Sequence, residues 1–130
     1  MTPESEALLR KSRRSLEAGQ LLLSEGFMED AASEAYYAMF YAAKAILVNA
    51  GQKATQHKHV VRKFQQLFVV TGRIQNKYYD ALEEALKLRH FADYETDLSY
   101  PVPSEEASTS LGKATEFVVM AEEFLRGAEP

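Results

Sequence analysis

"MEDAASEAYYAMFYAAKAILVNA", residues 28–50, decides the fold. At about 100° per residue, Ala32, Tyr36, Met39, Phe40, Ala43, Ile46 and Leu47 recur on one apolar face of a helix. Tyr37, Tyr41 and Val48 fall on a second side, and Ala38, Ala42 and Ala45 on a third, with Lys44 the lone charge after Glu34. A helix that is apolar nearly all round must be buried nearly all round. In so short a chain, part of that cover is expected from a second copy, meeting across the tyrosines or the alanine face. The competing reading is a central helix wrapped by its own neighbours. Tyr37 and Tyr41 are therefore assigned to a dimer contact or to the core, and the aromatic cluster is read as packing rather than as a platform for bases.

Outward from this segment the chain stays helical. Short polar, glycine and proline clusters interrupt it at residues 24–27, 49–58, 70–76 and 95–104. They leave five helices, at about 4–24, 28–50, 58–70, 75–94 and 104–126. Pro3 suits a first helical turn, and Ser104 followed by Glu105 and Glu106 reads as an N-cap with acids that suit the helix dipole. No alternating strand pattern competes. The expected architecture is all-α: an antiparallel bundle of about five helices, one domain over residues 1–130.

Composition bounds the chemistry. Hydrophobic residues make up 46% of the 130, enough for one packed core. With no cysteine, disulfides, thiol nucleophiles and cysteine-based metal sites are excluded, and the cytoplasm is the expected setting. No apolar run approaches a membrane span, and "MTPESEALLRKSRR" is charged where a signal peptide would be apolar. The net charge of -4 conceals an asymmetry: residues 35–79 hold no Asp or Glu, while Lys44, Lys53, Lys58, Arg62, Lys63, Arg73 and Lys77 supply seven positive charges. Such a basic tract suits an anionic partner, or else it pairs with the protein's own acidic helix.

On the fourth helix, Tyr78, Ala81, Leu82, Ala85, Leu86, Leu88 and Ala92 share one arc, with Asp80, Glu83, Glu84 and Lys87 opposite. Arg89 and Asp93 fall inside the apolar arc, one turn apart. Charges there must satisfy each other or look into a crevice. His90 and Tyr94 form a second stacked pair on the adjoining polar edge.

The succession "EAYYAMFYAAKAIL" (34–47), "TQHKHVVRKF" (55–64) and "TGRIQNKYYDALEEALKLRHFADYE" (71–95) resembles the HEPN domain family, in particular its prokaryotic stand-alone members. The resemblance runs from about Arg13 to Phe124. It implies a five-helix domain that commonly dimerises, is often encoded beside a minimal nucleotidyltransferase, and often acts as a metal-independent ribonuclease in toxin–antitoxin or defence settings. Ribonuclease members carry an arginine, usually followed by a polar residue, and a histidine closing the pattern R-x4-H to R-x6-H. Arg89 matches the arginine and His90 the polar position. At the closing positions stand Tyr94, Glu95 and Thr96, so the "R-x-x-A-D-Y" ending resembles a branch with an altered catalytic pattern.

RNA cleavage of this kind needs a base for the 2′-hydroxyl and a cation for the phosphate. Arg89 suits the cation. Tyr94, with an ordinary pKa near 10, is a poor base at neutral pH, and His90 titrates in the right range. His57 stands where the family often has a histidine, at the start of the basic third helix. Its i,i+2 spacing from His59 argues against a shared metal, and neither a metal nor another cofactor is called for. Three functions follow. The first is a HEPN-type protein binding a nucleotide or RNA through Arg89, His57, Lys58, Arg62 and Lys63, paired with a nucleotidyltransferase and with nuclease activity weak or lost. The second is an active ribonuclease using Arg89 with His90 or Tyr94. The third is a helical interaction module with no nucleic-acid role.

Overall fold

The structure, a computed structural model, describes residues 1–53, 56–94 and 102–127, and of residues 91–94 the backbone alone. Five α-helices follow in order: α1 (Pro3–Ser24), α2 (Met28–Asn49), α3 (His57–Phe64), α4 (Asn76–Tyr94) and α5 (Ser104–Gly127), and the described residues include no strand. The third helix continues as a π-helical turn, Gln65–Val69. Each agrees with its expected span to within two residues, once that turn is counted with α3.

Local chemistry explains the ends. Pro3 opens α1, and the Thr2 side chain accepts a hydrogen bond from the Ser5 amide at 3.1 Å. At the other end Gly26 takes φ +86°, and the amides of Gly26 and Phe27 turn back to the Leu23 and Leu22 carbonyls. Ser104 is the first residue of α5 rather than its cap. The Pro103 carbonyl accepts the first helical bond, from the Ala107 amide. A proline has no N–H to lose outside the helix, which makes it a tolerable residue there.

The α2 alanines answer the question that its all-round apolarity poses. Ala31, Ala35, Ala38, Ala42 and Ala45 are fully buried within the single chain. They meet α1 through its own small residues: the Ser12 hydroxyl donates to the Ala38 carbonyl at 2.6 Å, and Gly19 sits over the Ala31 carbonyl. The start of α1 is tied to the end of α2, with the Thr2 amide donating to Asn49 Oδ1 at 3.0 Å, so the two helices are antiparallel. The alanine face is thus not available to a second copy. What remains half-exposed on α2 is the edge bearing Tyr37, Tyr41, Lys44 and Val48.

α5 lies against α1 and α2 and buries Leu111, Ala114, Phe117, Val118 and Ala121. Arg13 of α1 forms a bidentate pair with Glu122 of α5, one of its bonds 3.0 Å long. α3 and the turn after it bring Phe64 and Phe68 against Phe117 and Phe124. α4 then returns antiparallel to α2, and this register sets Arg89 beside the α2 tyrosines.

Gly19 reports on the closeness of this packing. A Cβ there would stand 2.6 Å from Leu111 Cδ2 and 3.3 Å from Glu34 Cβ. Gly19→Val is expected to destabilise the protein by about 1–3 kcal/mol through overpacking, outweighing the small gain in helix propensity. A urea midpoint equal to or above that of the parent would contradict the three-helix contact.

Candidate functional site

Three helices converge on Arg89. Its guanidinium carbon lies 5.1 Å from the ring centre of Tyr37 and 5.5 Å from that of Tyr36, both on α2. Tyr36, Phe40 and His57 of α3 form one stacked group, the imidazole lying 4.2 Å from the Phe40 ring centre with the planes only 11° apart. His57 meets Tyr37 edge to face. On the α1 side Lys11 Nζ lies 4.7 Å over the Tyr41 ring, which itself stacks with Tyr37. Cations and ring faces alternate along this edge of the bundle, an arrangement that holds positive charge beside aromatic surface.

One hydrogen bond ties the cluster together. The Tyr36 hydroxyl and His57 Nδ1 are 2.7 Å apart. Tyr36 has no exposed surface, and burial pushes its phenol well above the ordinary range, so it stays protonated. His57 is held below the ordinary histidine value, first by burial and then by Arg89, Lys44 and His90. Its imidazole is neutral at pH 7.

Among the expected site residues, the structure brings Arg89, His90 and His57 together. The Arg89 Nε is buried although the side chain as a whole is half-exposed, and His90 is exposed on the neighbouring edge. Lys58 and Arg62 are exposed on one side of α3, while Lys63 turns away and donates to the Lys53 carbonyl at 3.0 Å. Asp93 and Tyr94 belong to the last turn of α4, but their side chains, and with them the Arg89–Asp93 pair, lie outside the described residues. Tyr37 and Tyr41 are neither wholly core nor simply surface: each gives one part of its ring to the cluster and another to solvent. Lys11, and the places of Tyr36 and Lys44 beside His57, escape a reading by sequence alone. The available signal for Tyr36 was a tyrosine on a core face, whose hydroxyl needs a partner.

Among the described residues, no ion pair ties the basic tract to the acidic helix α5; ion pairs form at Arg13, Lys87 and Lys113. Arg73 instead covers Phe68 and Phe124, and Lys77 covers Tyr78. A groove of about 820 Å³ between α4 and α5 mixes Glu84, Glu105 and Glu106 with Lys87 and Lys113, which fits a polyanion poorly. No three His, Cys, Asp or Glu among the described residues are placed to hold a metal.

Fold and cluster together define an all-α five-helix domain with an arginine–histidine pair at the end of its fourth helix. The chain belongs to the HEPN domain family, whose model matches residues 5–125. It is 32% identical over 122 residues to "Putative toxin MJ0142" of Methanocaldococcus jannaschii, covering 94% of this chain and 82% of that one. It is 30% identical over 125 residues to a UPF0332 protein of Gloeobacter violaceus, covering 96% of this chain and 98% of that one. A second Methanocaldococcus jannaschii protein, "Putative toxin MJ0605", is 33% identical over 108 residues, with 83% and 78% covered.

The depressed His57 has a consequence for stability. Its pKa in the fold lies below the 6.5 of the free side chain. Above 6.5 folded and unfolded chains are both neutral there, whereas below it the unfolded chain takes up the proton first, so stability falls with pH until the folded value is passed. Thermal melts should therefore show this loss setting in just below 6.5, and His57→Gln should remove that component. An unchanged pH profile in the variant would place the titration elsewhere.

Proposed function

We propose that the chain is a toxin-like HEPN protein that binds RNA or a nucleotide at the Arg89 cluster, with nuclease activity weak or lost. The observation that carries this reading is the convergence of Arg89, His57 and His90 from two helices onto the tyrosine edge of a third. The rings serve as packing that holds Arg89 and Lys11 in place, and these cations suit phosphate. Lys58 and Arg62 extend the positive surface along α3, with Lys63 a weaker contributor because its ammonium already has the Lys53 carbonyl. The absence of a closing histidine at positions 94–96 supports weak cleavage. The toxin names of two relatives support a role in a two-component pair. The partner in this reading is a separately encoded nucleotidyltransferase, which family likeness alone supports.

RNA affinity is expected to fall steeply with salt. Lys58→Ala and Arg62→Ala should each flatten the log–log slope by about 1, and Lys63→Ala by less. Arg89→Ala should abolish binding, and the parent should not cleave the bound RNA robustly. Salt-insensitive binding, or none to RNA or nucleotide, would remove the polyanion reading, whereas vigorous cleavage lost in Arg89→Ala would make the protein an active ribonuclease.

The reading includes a homodimer. With the alanine face covered, the Tyr37–Tyr41 edge is where a second copy would meet α2. Two such edges would set their cations side by side, so a bound anion should strengthen the pair. Light scattering at micromolar concentration should give twice the chain mass, more completely with RNA present. A single-chain mass under both conditions would leave the tyrosine edge to ligand alone.

A further inference from the structure

We infer that Tyr36 fixes His57 in the tautomer that carries its proton on Nε2, making His57 a neutral hydrogen-bond donor to a phosphate oxygen held beside Arg89. The inference rests on the anion-binding reading for its ligand, but its first half concerns the protein alone.

The Tyr36 hydroxyl and His57 Nδ1 share one hydrogen bond of 2.7 Å. Tyr36 is fully buried, and that bond is the one its hydroxyl makes among the described residues. A neutral imidazole carries a proton on one nitrogen only. With that proton on Nδ1, the bond would run from His57 to the tyrosine oxygen, leaving a buried O–H without an acceptor among the described residues. Such an orphan costs about 1–3 kcal/mol. With the proton on Nε2, Tyr36 donates to Nδ1 and both groups are satisfied. Stacking between Phe40 and the edge of Tyr37 holds the ring in this orientation. The groups facing His57 are Tyr36, Tyr37 and Lys44 from α2 and Arg89 and His90 from α4. The cations among them oppose a second proton on the ring, so it remains a single donor.

The chemistry selects its ligand. An N–H beside a guanidinium matches an anion with several oxygens, since each donor takes a different one. Nδ1 is occupied by Tyr36 and Nε2 already bears a proton, so this histidine is a poor base and a good donor. It acts as a binding residue, and Tyr36 acts through it as a positioning residue.

Nitrogen-detected NMR of the ligand-free protein above pH 7 decides the first half. His57 should show an acceptor-type Nδ1 and a protonated Nε2, and Tyr36→Phe, which keeps the buried ring, should show a mixture of tautomers. A protonated Nδ1 in the parent, or no change in Tyr36→Phe, overturns the inference. Titration with a short single-stranded oligoribonucleotide decides the second half. His57→Ala should weaken binding about tenfold or more. His57→Gln, which places an N–H where Nε2 stood, should recover most of that affinity. His57→Asn, which offers Tyr36 an acceptor but no outward donor, should remain weak. If Gln fails as Ala does, or Asn recovers as Gln does, His57 is not the donor. If the parent binds no RNA, the anion reading and the ligand half fail together, while the NMR result still stands or falls alone.

Discussion

The approach of α1 to α2 is the contact on which the remaining geometry depends. Two helices can come this close only where side chains are small, and here serine and glycine on one meet a stripe of alanines on the other. The Ser12 hydroxyl reaching the Ala38 carbonyl is a direct consequence of that closeness. Because Ala31, Ala35, Ala38, Ala42 and Ala45 use one side of α2 for α1, the bulky residues are forced to the others. Met39, Ile46 and Leu47 fill the core, while Tyr36, Phe40, Tyr37 and Tyr41 are left to meet α3, α4 and solvent. The aromatic edge is the complement of the alanine stripe.

That edge explains how a cation is tolerated where the α4 pattern calls for an apolar residue. Arg89 spreads its guanidinium near two tyrosine rings, contacts worth about 0.5–2 kcal/mol each depending on how dry they are. His57 lies within the same field and is driven neutral by it. The positive charge of the cluster therefore resides on arginine and lysine, and histidine contributes direction.

Much of this was legible in the sequence because it is written in local periodicity. Most of the helices are long and punctuated by glycine and proline, and the Arg89–His90 pair stands near the end of the fourth, whose charged and apolar residues fall on opposite sides. The ambiguity over α2 was different in kind. Periodicity showed three apolar sides but not which neighbour covers each, since that depends on α1 and α5 at long sequence separation. The Tyr36–His57 bond was hidden for a related reason. It joins residues 21 apart through a connection that folds the chain back over α2, and helical angles carry no information across such a turn. Likewise, the basic tract can be weighed as charge in the sequence, but the fold is what sets Arg73 and Lys77 against ring faces and Lys63 against a carbonyl.

The tyrosine–histidine bond also bears on why an altered arginine motif and a retained histidine can coexist. Cleavage of RNA without a metal asks a neutral base to take the 2′-hydroxyl proton while a cation steadies the phosphate. Histidine at neutral pH can serve as that base only through a nitrogen with a free lone pair facing the ligand. In the tautomer inferred for His57, the one free lone pair of the neutral ring lies on Nδ1 and faces a buried phenol whose own proton has no other acceptor among the described residues. Freeing it would require either ionising a tyrosine whose pKa burial has raised, or leaving a hydroxyl unsatisfied in the core. Both are costly, and neither is needed to hold an anion. On the proposed reading, the bond that would give the site its direction also works against proton removal by His57, so recognition without turnover would owe as much to the packing of α2 as to the missing histidine after Arg89.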